Sequence, residues 1–142
     1  MNEEIYTELI LEHNKNPSNF GRLEDADSHS RDLNPSCGDV IEIFLKFNDK
    51  KLSDVKFDGK GCAVSQASAS MLTEAIKEKT VEELIDFNKD DMLNLLGISL
   101  TPLRRKCALL GFKVMKVALI SFLSKQNSDI RTLNDEIKVL DQ

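Results

Sequence analysis

Tryptophan is absent from this chain of 142 residues, which contains only two histidines and three cysteines. Two histidines are too few for a histidine-rich metal site, so a bound metal must rely mainly on thiolate and carboxylate ligands. An odd number of cysteines is a poor basis for a disulfide framework, and none of them form a Cys-x-x-Cys pair of the zinc-finger or thioredoxin kind. The three dispersed cysteines are therefore the main candidates for metal-binding or reactive side chains.

Long hydrophobic runs and a basic charge balance are also missing. No uninterrupted apolar run approaches the roughly 20 residues that cross a bilayer. The formal net charge is −5, from 19 Lys and Arg against 24 Asp and Glu, which argues against a general nucleic-acid binder. Residues 1–4 are acidic and suit neither a secretory signal nor a transit peptide. We expect a cytoplasmic protein without membrane or nucleic-acid partners, folded as one domain over residues 1–142.

Hydrophobic periodicity predicts one helix, then strands, then further helices. An amphipathic helix is predicted over residues 2–14, and residues 15–36 read as a long solvated loop because they carry few apolar groups. Strands are predicted at 39–47 and 52–58, with a short third strand around 62–64. The order of elements predicts an α+β fold with helices on one face of a small antiparallel sheet.

Capping residues and small side chains place the later helices. A helix of small residues is predicted over 65–76, and a capping box at Thr80 starts a short helix. Asn88 offers a cap for another that ends near Gly97, and Pro102 precedes a strongly periodic helix that runs to about residue 124. A final helix is predicted over 128–140.

Cys37 and Asp39 lie in a turn that leads into the first predicted strand, within residues 34–39 (NPSCGD). A structural cysteine usually lies inside an apolar run, and this one does not. In an extended segment residues i and i+2 point to one side, so thiolate and carboxylate could meet one ion. Asp39 taken alone is also typical of a turn or a strand start.

Cys62 follows Gly59 and Gly61 at the end of the second predicted strand. The glycines permit unusual backbone angles and the close approach of another group, which favours a binding site. A tight turn with Cys62 as a small filler fits the same pattern.

Cys107 lies near the start of the longest predicted helix, directly after Arg104, Arg105 and Lys106. A helix N-terminus and neighbouring cations both lower the pKa of a thiol, so we expect a reactive thiolate here. Cys107 also fits the apolar stripe of the helix and could be a core residue. Three cations at the positive end of a helix are unfavourable, which indicates that they bind a partner or an anion.

All three cysteines therefore lie at the ends of elements, and such ends can converge in a small α+β fold. Three thiolates and one carboxylate form a four-ligand set suited to Zn²⁺ or to iron–sulfur chemistry. Dispersed cysteines are also common as buried structural residues, so spacing alone does not separate the two interpretations.

The residues around the cysteines carry a resemblance to a known family. Residues 34–39, 59–70 (GKGCAVSQASAS) and 104–108 (RRKCA) resemble three motifs of the U-type iron–sulfur cluster assembly proteins, the IscU, SufU and NifU N-terminal group. The resemblance spans roughly residues 5–123 and includes Tyr6 and residues 16–21 (NPSNFG).

The resemblance implies a three-stranded sheet packed against helices, with Cys37, Asp39, Cys62 and Cys107 converging at one exposed end. In that family these positions bind zinc or hold a nascent [2Fe-2S] cluster. It also implies a cysteine desulfurase as the sulfur donor, Cys37 and Cys107 as candidate sulfur acceptors, and apo iron–sulfur proteins as recipients. A hard carboxylate among soft thiolates should keep a cluster labile, as a carrier requires.

The motifs leave two functions within the family open. Lys106 stands where IscU-type scaffolds carry a histidine, and the glycine turn is SufU-like, which favours a zinc-dependent protein that relays persulfide sulfur. Cys62 and Cys107 are 45 positions apart, without the insertion usual in SufU-type proteins, which favours a cluster scaffold. Residues 100–104 (LTPLR) match the Leu-Pro-Pro-Val-Lys chaperone-binding segment of IscU poorly, so dependence on an Hsp70 partner is open.

The basic residues before Cys107 and the overall class of the protein each allow two interpretations. Arg104, Arg105 and Lys106 are expected to bind a partner, an acidic surface beside the desulfurase active site, although an inert solvated face fits the same charges. An interaction module with incidental cysteines is the alternative from another class. Whether the chain is an enzyme is left open between a non-enzymatic scaffold and a sulfur-transfer protein.

Overall fold

The computed structural model describes residues 3–125 together with Ile137, Lys138 and Leu140. The helix predicted over 128–140 lies outside the described residues apart from those three. The elements in chain order are α1 (Glu3–Lys15), β1 (Ser28–Asn34), β2 (Asp39–Asn48), β3 (Lys51–Lys60), α2 (Ala63–Ile76), α3 (Val81–Asp86), α4 (Lys89–Leu96) and α5 (Pro102–Lys125).

The sheet is antiparallel with the strand order β1-β2-β3, and the predicted α+β fold with a three-stranded sheet is confirmed. Asn34 at the end of β1 pairs with Asp39 at the start of β2, and Val40 pairs with Lys60 at the end of β3. One end of the sheet therefore gathers the β1–β2 turn and the exit from β3, which is where two of the cysteines lie.

The identity of the third strand differs from the prediction. Strand β1 falls inside the stretch interpreted as a solvated loop, and residues 62–64 cap and begin α2 instead of forming a strand. Exposed and partly buried residues alternate along β1 after Ser28, and its one large apolar residue, Leu33, is exposed. Its position is fixed by pairing with β2 and by contact with α5, and neither is visible in local hydrophobicity.

The predicted helix caps are confirmed. Thr80 and Glu83 form a reciprocal capping box at α3, and Asn88 and Asp91 form a second one at α4. Helix α4 ends at Gly97, whose φ of 66° lies in the left-handed region that glycine adopts readily.

Helix α5 is the central helix of the core. By length and composition its 24 residues could cross a membrane, but 67% of its most apolar stretch is buried inside the protein, as in a core helix. It packs on α2 and on the inner face of the sheet. The residues that line this core include Ile41, Ile43, Leu45, Val55, Phe57, Leu72, Phe112, Met115 and Leu119. This packing fixes the N-terminal half of α5 beside the β1–β2 turn.

Candidate metal centre

The β1–β2 turn presents Cys37 at its tip. The backbone N–H of Cys37 donates to the Asn34 carbonyl at 3.2 Å, which closes a turn that contains Pro35. Gly38 follows with a φ of +70°, a conformation that glycine adopts without steric cost. Cys37 and Asp39 therefore meet through a tight turn and not through an extended segment.

Asp39 is the buried anchor of the site, with a relative exposure of 1%. Its Oδ1 accepts hydrogen bonds from the Cys62 backbone N–H at 2.8 Å and from the Ser65 hydroxyl at 3.1 Å. Burial alone would raise the pKa of this carboxyl group, but these donors, together with the thiols of Cys107 and Cys62, hold the pKa below its usual value. Asp39 is therefore a carboxylate at neutral pH.

Gly61 makes the close approach of Asp39 possible. Its φ is +151°, and a Cβ at this position would collide with the Asp39 carboxylate and with the Asp39 backbone. The glycine expected from the sequence to allow close approach of another group thus admits the acidic ligand itself.

Cys62 is the N-cap of α2. Its backbone is extended, and its Sγ accepts a hydrogen bond from the Ser65 backbone N–H at 3.4 Å. The thiol is partly exposed and lies at the N-terminus of a 14-residue helix.

Cys107 is fully buried, and its position corrects the sequence prediction. Because α5 begins at Pro102, Cys107 lies in the second turn of the helix and faces the interior. Burial, followed by hydrogen bonding with Cys37, Asp39 and Cys62, raises the pKa of this thiol far above its ordinary value. Without a bound cation Cys107 is thus a protonated thiol, and the reactive thiolate predicted from the neighbouring cations is wrong for this state.

Three of the four predicted ligands converge. The Cys107 thiol donates to the Cys37 Sγ at 2.9 Å, and one ligand atom each from Cys37, Asp39 and Cys107 lies within 4.8 Å of the others. The Cys62 sulfur is not part of this group, although its backbone N–H binds Asp39 and its thiol contributes to the raised pKa of Cys107.

The donor set fits a thiophilic metal. Two ligand atoms that each lie about 2.3 Å from a tetrahedral zinc ion are about 3.8 Å apart. The ligand atoms of Cys37, Asp39 and Cys107 lie within 4.8 Å of one another, which is close to that spacing. The partly exposed Cys62 lies beside them as the candidate fourth ligand. Thiolates with one carboxylate suit Zn²⁺ or iron in a cluster better than Mg²⁺ or Ca²⁺, which prefer oxygen ligands alone.

The basic turn, Arg104, Arg105 and Lys106, is exposed on the first turn of α5. Thr101 caps this turn, since its hydroxyl accepts the Arg104 N–H at 3.3 Å. Arg105 and Lys106 line a cavity of about 440 Å³ that also includes Asn34 and two further lysines, Lys89 and Lys113. Arg105 and Lys106 therefore share a cavity with Asn34, which contacts Cys107, and Arg104 directly precedes them in the chain.

Two residues of the site were not identified from the sequence. Ser65 binds Asp39 through its hydroxyl, and the Asn34 amide lies 3.4 Å from Asp39 Oδ2 and 3.6 Å from Cys107 Sγ. A signal for Ser65 was its position three residues after Cys62, as expected inside a capped helix. Asn34 precedes a proline and was interpreted as a turn former.

Comparison with known families gives a match over most of the chain. Residues 5–129 match the model of the NifU-like N terminal domain. The iron–sulfur cluster assembly scaffold protein IscU 1 of Archaeoglobus fulgidus is 35% identical over 121 residues, covering 85% of this chain and 78% of that protein. The zinc-dependent sulfurtransferase SufU of Bacillus subtilis is 38% identical over 130 residues, covering 79% and 87%.

Solved structures give the same fold. A candidate SUF-system scaffold protein from Fervidobacterium islandicum superposes with a TM-score of 0.71 at 31% identity, covering 84% of this chain and 99% of that one. The N-terminal part of a NifU-like protein from Brucella abortus superposes with a TM-score of 0.70 at 24% identity, covering 87% and 97%.

Proposed function

Because the chain belongs to the NifU-like N-terminal domain family, we propose that it is an iron–sulfur cluster assembly scaffold that accepts sulfur from a cysteine desulfurase. In this proposal Cys37, Asp39, Cys62 and Cys107 hold a transient [2Fe-2S] cluster, which is cargo and passes to apo iron–sulfur proteins. The observation that carries the proposal is the convergence of Cys37, Asp39 and Cys107 within 4.8 Å. The IscU and SufU relatives support the two functions that the sequence left open, a cluster scaffold and a zinc-dependent sulfur-transfer protein.

Asp39 makes the site suited to release as well as to binding. A carboxylate is a harder ligand than a thiolate and binds cluster iron less strongly. Its Oδ1 accepts two short hydrogen bonds, whereas Oδ2 accepts one longer bond of 3.4 Å from Asn34, so Oδ2 is the oxygen better placed to bind iron. A single exchangeable ligand gives an incoming acceptor thiol a defined place to start cluster transfer.

The exposure of the thiols favours Cys37 as the first sulfur acceptor. Cys37 is partly exposed at the tip of its turn, whereas Cys107 is buried behind it. In thiol–persulfide exchange the Cys37 thiolate attacks the terminal sulfur of the desulfurase persulfide and forms a new S–S bond. The old S–S bond breaks, and its electron pair leaves on the desulfurase cysteine as a thiolate, so no external oxidant or reductant is needed.

The basic turn supplies a docking surface for the sulfur donor. Arg105 and Lys106 line the cavity beside Asn34 together with Lys89 and with Lys113, which forms an ion pair with Asp32 at 3.0 Å, so cations outnumber the single carboxylate there. The whole chain, by contrast, has a formal net charge of −5. Such a local positive patch attracts an acidic surface and accelerates association more than it strengthens the complex. The docking partner proposed here is the desulfurase, in the cytoplasm, without nucleic acid or membrane.

Reconstitution tests the scaffold function. The protein is incubated anaerobically with a cysteine desulfurase, cysteine and ferrous iron, and the visible absorbance of a [2Fe-2S] cluster is followed. We expect cluster formation that Cys37→Ser abolishes, while Ser36→Ala, an exposed change in the same turn, leaves it intact. Equal cluster yield from Cys37→Ser would contradict the proposal.

Zinc-dependent sulfur transfer is the second candidate, favoured by the 38% identity to the zinc-dependent sulfurtransferase SufU of Bacillus subtilis. A bound Zn²⁺ would hold its thiol ligands as thiolates. Cys37, Asp39, Cys62 and Cys107 would bind the ion, and persulfide sulfur would pass through Cys37. Stoichiometric zinc that persists through reconstitution, with desulfurase stimulation and no cluster absorbance, would favour this candidate over the scaffold.

A further inference from the structure

Asn34 lies between the carboxylate and the buried thiol of the site. It is the last residue of β1, and its register partner across the sheet is Asp39. Its side-chain Nδ2 lies 3.4 Å from Asp39 Oδ2 and 3.6 Å from Cys107 Sγ. A side-chain amide carries two N–H donors, so one can point to each acceptor.

The two oxygens of Asp39 are held differently, and this difference gives Asn34 its importance. Oδ1 is fixed by the backbone of Cys62 and the hydroxyl of Ser65, whereas the hydrogen bond found at Oδ2 among the described residues comes from Asn34. Oδ2 is therefore the atom that can turn toward a metal, and the Asn34 amide contacts it directly, beside the thiols of Cys107 and Cys62 that also hydrogen-bond Asp39.

We propose that Asn34 is a positioning residue, whose amide holds Asp39 Oδ2 and Cys107 Sγ at the spacing from which both bind one metal ion. The inference rests on the proposed metal-binding function of this site and extends it to a residue outside the ligand set. Partners that orient ligands in this way typically change metal affinity by about 10–100-fold when they are removed.

The hydrogen bonds, and not the volume of the side chain, carry this role. Asn34 is partly exposed, so its replacement leaves no sealed cavity in the core. Leucine has the same branching at Cγ as asparagine but no N–H. A packing role would thus be restored by Asn34→Leu, whereas a positioning role would be lost in Asn34→Leu and Asn34→Ala alike.

Metal titration of the full-length protein tests the inference. Zinc affinity is measured by competition with a chromogenic chelator, and the visible bands of the Co²⁺-loaded protein report the number and geometry of thiolate ligands. We expect Asn34→Ala and Asn34→Leu each to weaken zinc binding about tenfold or more and to alter the Co²⁺ bands. Ser36→Ala, in the same turn, should match the wild type in both.

The outcomes separate this inference from the function on which it rests. Wild-type affinity and spectra in both variants, or restoration by Asn34→Leu, would overturn the positioning role and leave the metal site standing. A wild-type protein that binds neither Zn²⁺ nor Co²⁺ would overturn both. The thermal unfolding midpoint of each metal-free variant is measured in parallel. A variant that fails to fold is replaced by Asn34→Ser. The serine side chain is too short to bridge Asp39 and Cys107, so this variant must show the same loss of zinc affinity.

Discussion

The Sγ atoms of Cys37 and Cys107 lie 2.9 Å apart although the residues are 70 positions apart in the chain. This contact joins the β1–β2 turn to the second turn of α5, and Asp39 joins the same turn to the start of α2. Three elements that are distant in the sequence therefore share one site.

Replacing the exchangeable ligand should slow cluster transfer. In Asp39→Ala we expect a cluster still to assemble on the three thiols but to pass more slowly to an apo acceptor, because the water that replaces the carboxylate is not displaced in a directed way. Transfer is followed by visible absorbance after the cluster is formed. Glu82→Ala, which removes an exposed carboxylate from α3, serves as the control, and transfer at the wild-type rate from Asp39→Ala would count against this role.

Zinc affinity should rise with pH. Burial keeps the pKa of Cys107 far above neutrality, so a metal that binds its sulfur must displace a proton, and fewer protons in solution favour that displacement. The apparent affinity is measured by chelator competition between pH 6.5 and 8.5, and each displaced proton contributes up to about tenfold per pH unit. Cys107→Ala should bind more weakly with a shallower slope. A flat profile for the wild type would show that Cys107 does not ligate the ion as a thiolate.

Gly61 should be less tolerant of a side chain than Gly38. A Cβ at Gly61 collides with Asp39, whereas a Cβ at Gly38 meets no atom within 4 Å and costs only the strain of a left-handed backbone, about 1–2 kcal/mol. We expect Gly61→Ala to lower both the unfolding midpoint and the zinc affinity more than Gly38→Ala does. Equal losses in the two variants would mean that the approach of Asp39 to Gly61 is unimportant.

Charge reversal on the basic turn should weaken docking without changing metal content. Arg104→Glu is expected to reduce stimulation of the desulfurase, mainly through a slower association that is most evident at low salt, since surface attraction is screened over about 8–10 Å at ordinary ionic strength. Arginine has no lone pair to offer a metal, so the metal content should be unchanged.

Lys50→Glu is the matched control for the docking test, because it reverses an exposed charge in the β2–β3 turn at the opposite end of the sheet. Normal stimulation by Arg104→Glu at both low and high salt would place the docking surface elsewhere.

Local signals predicted some parts of this molecule and missed others. The caps at Thr80 and Asn88 were predictable because both partners of each capping box lie within four residues. Strand β1 was missed because all of its residues except the exposed Leu33 are polar, and its support comes from β2 and α5.

The candidate site also combines features that local sequence predicts with features that depend on tertiary packing. The ligand types around Cys37 and Cys107 were evident from motifs, but the protonation of Cys107 was not, because it depends on which face of α5 the core buries. Asn34 was missed because its contact with Cys107 exists only after the sheet and α5 have packed together.

The metal content of anaerobically purified protein shows whether Cys37, Asp39, Cys62 and Cys107 form a metal site. Zinc and iron per chain are measured by elemental analysis in the wild type and in Cys37→Ser, Asp39→Ala, Cys62→Ser and Cys107→Ser, with Ser36→Ala as the control. We expect near-stoichiometric zinc or iron in the wild type and the control, and a clear loss in each cysteine variant. Substoichiometric metal that survives unchanged in Cys37→Ser would contradict such a metal site and favour an interaction module with incidental cysteines.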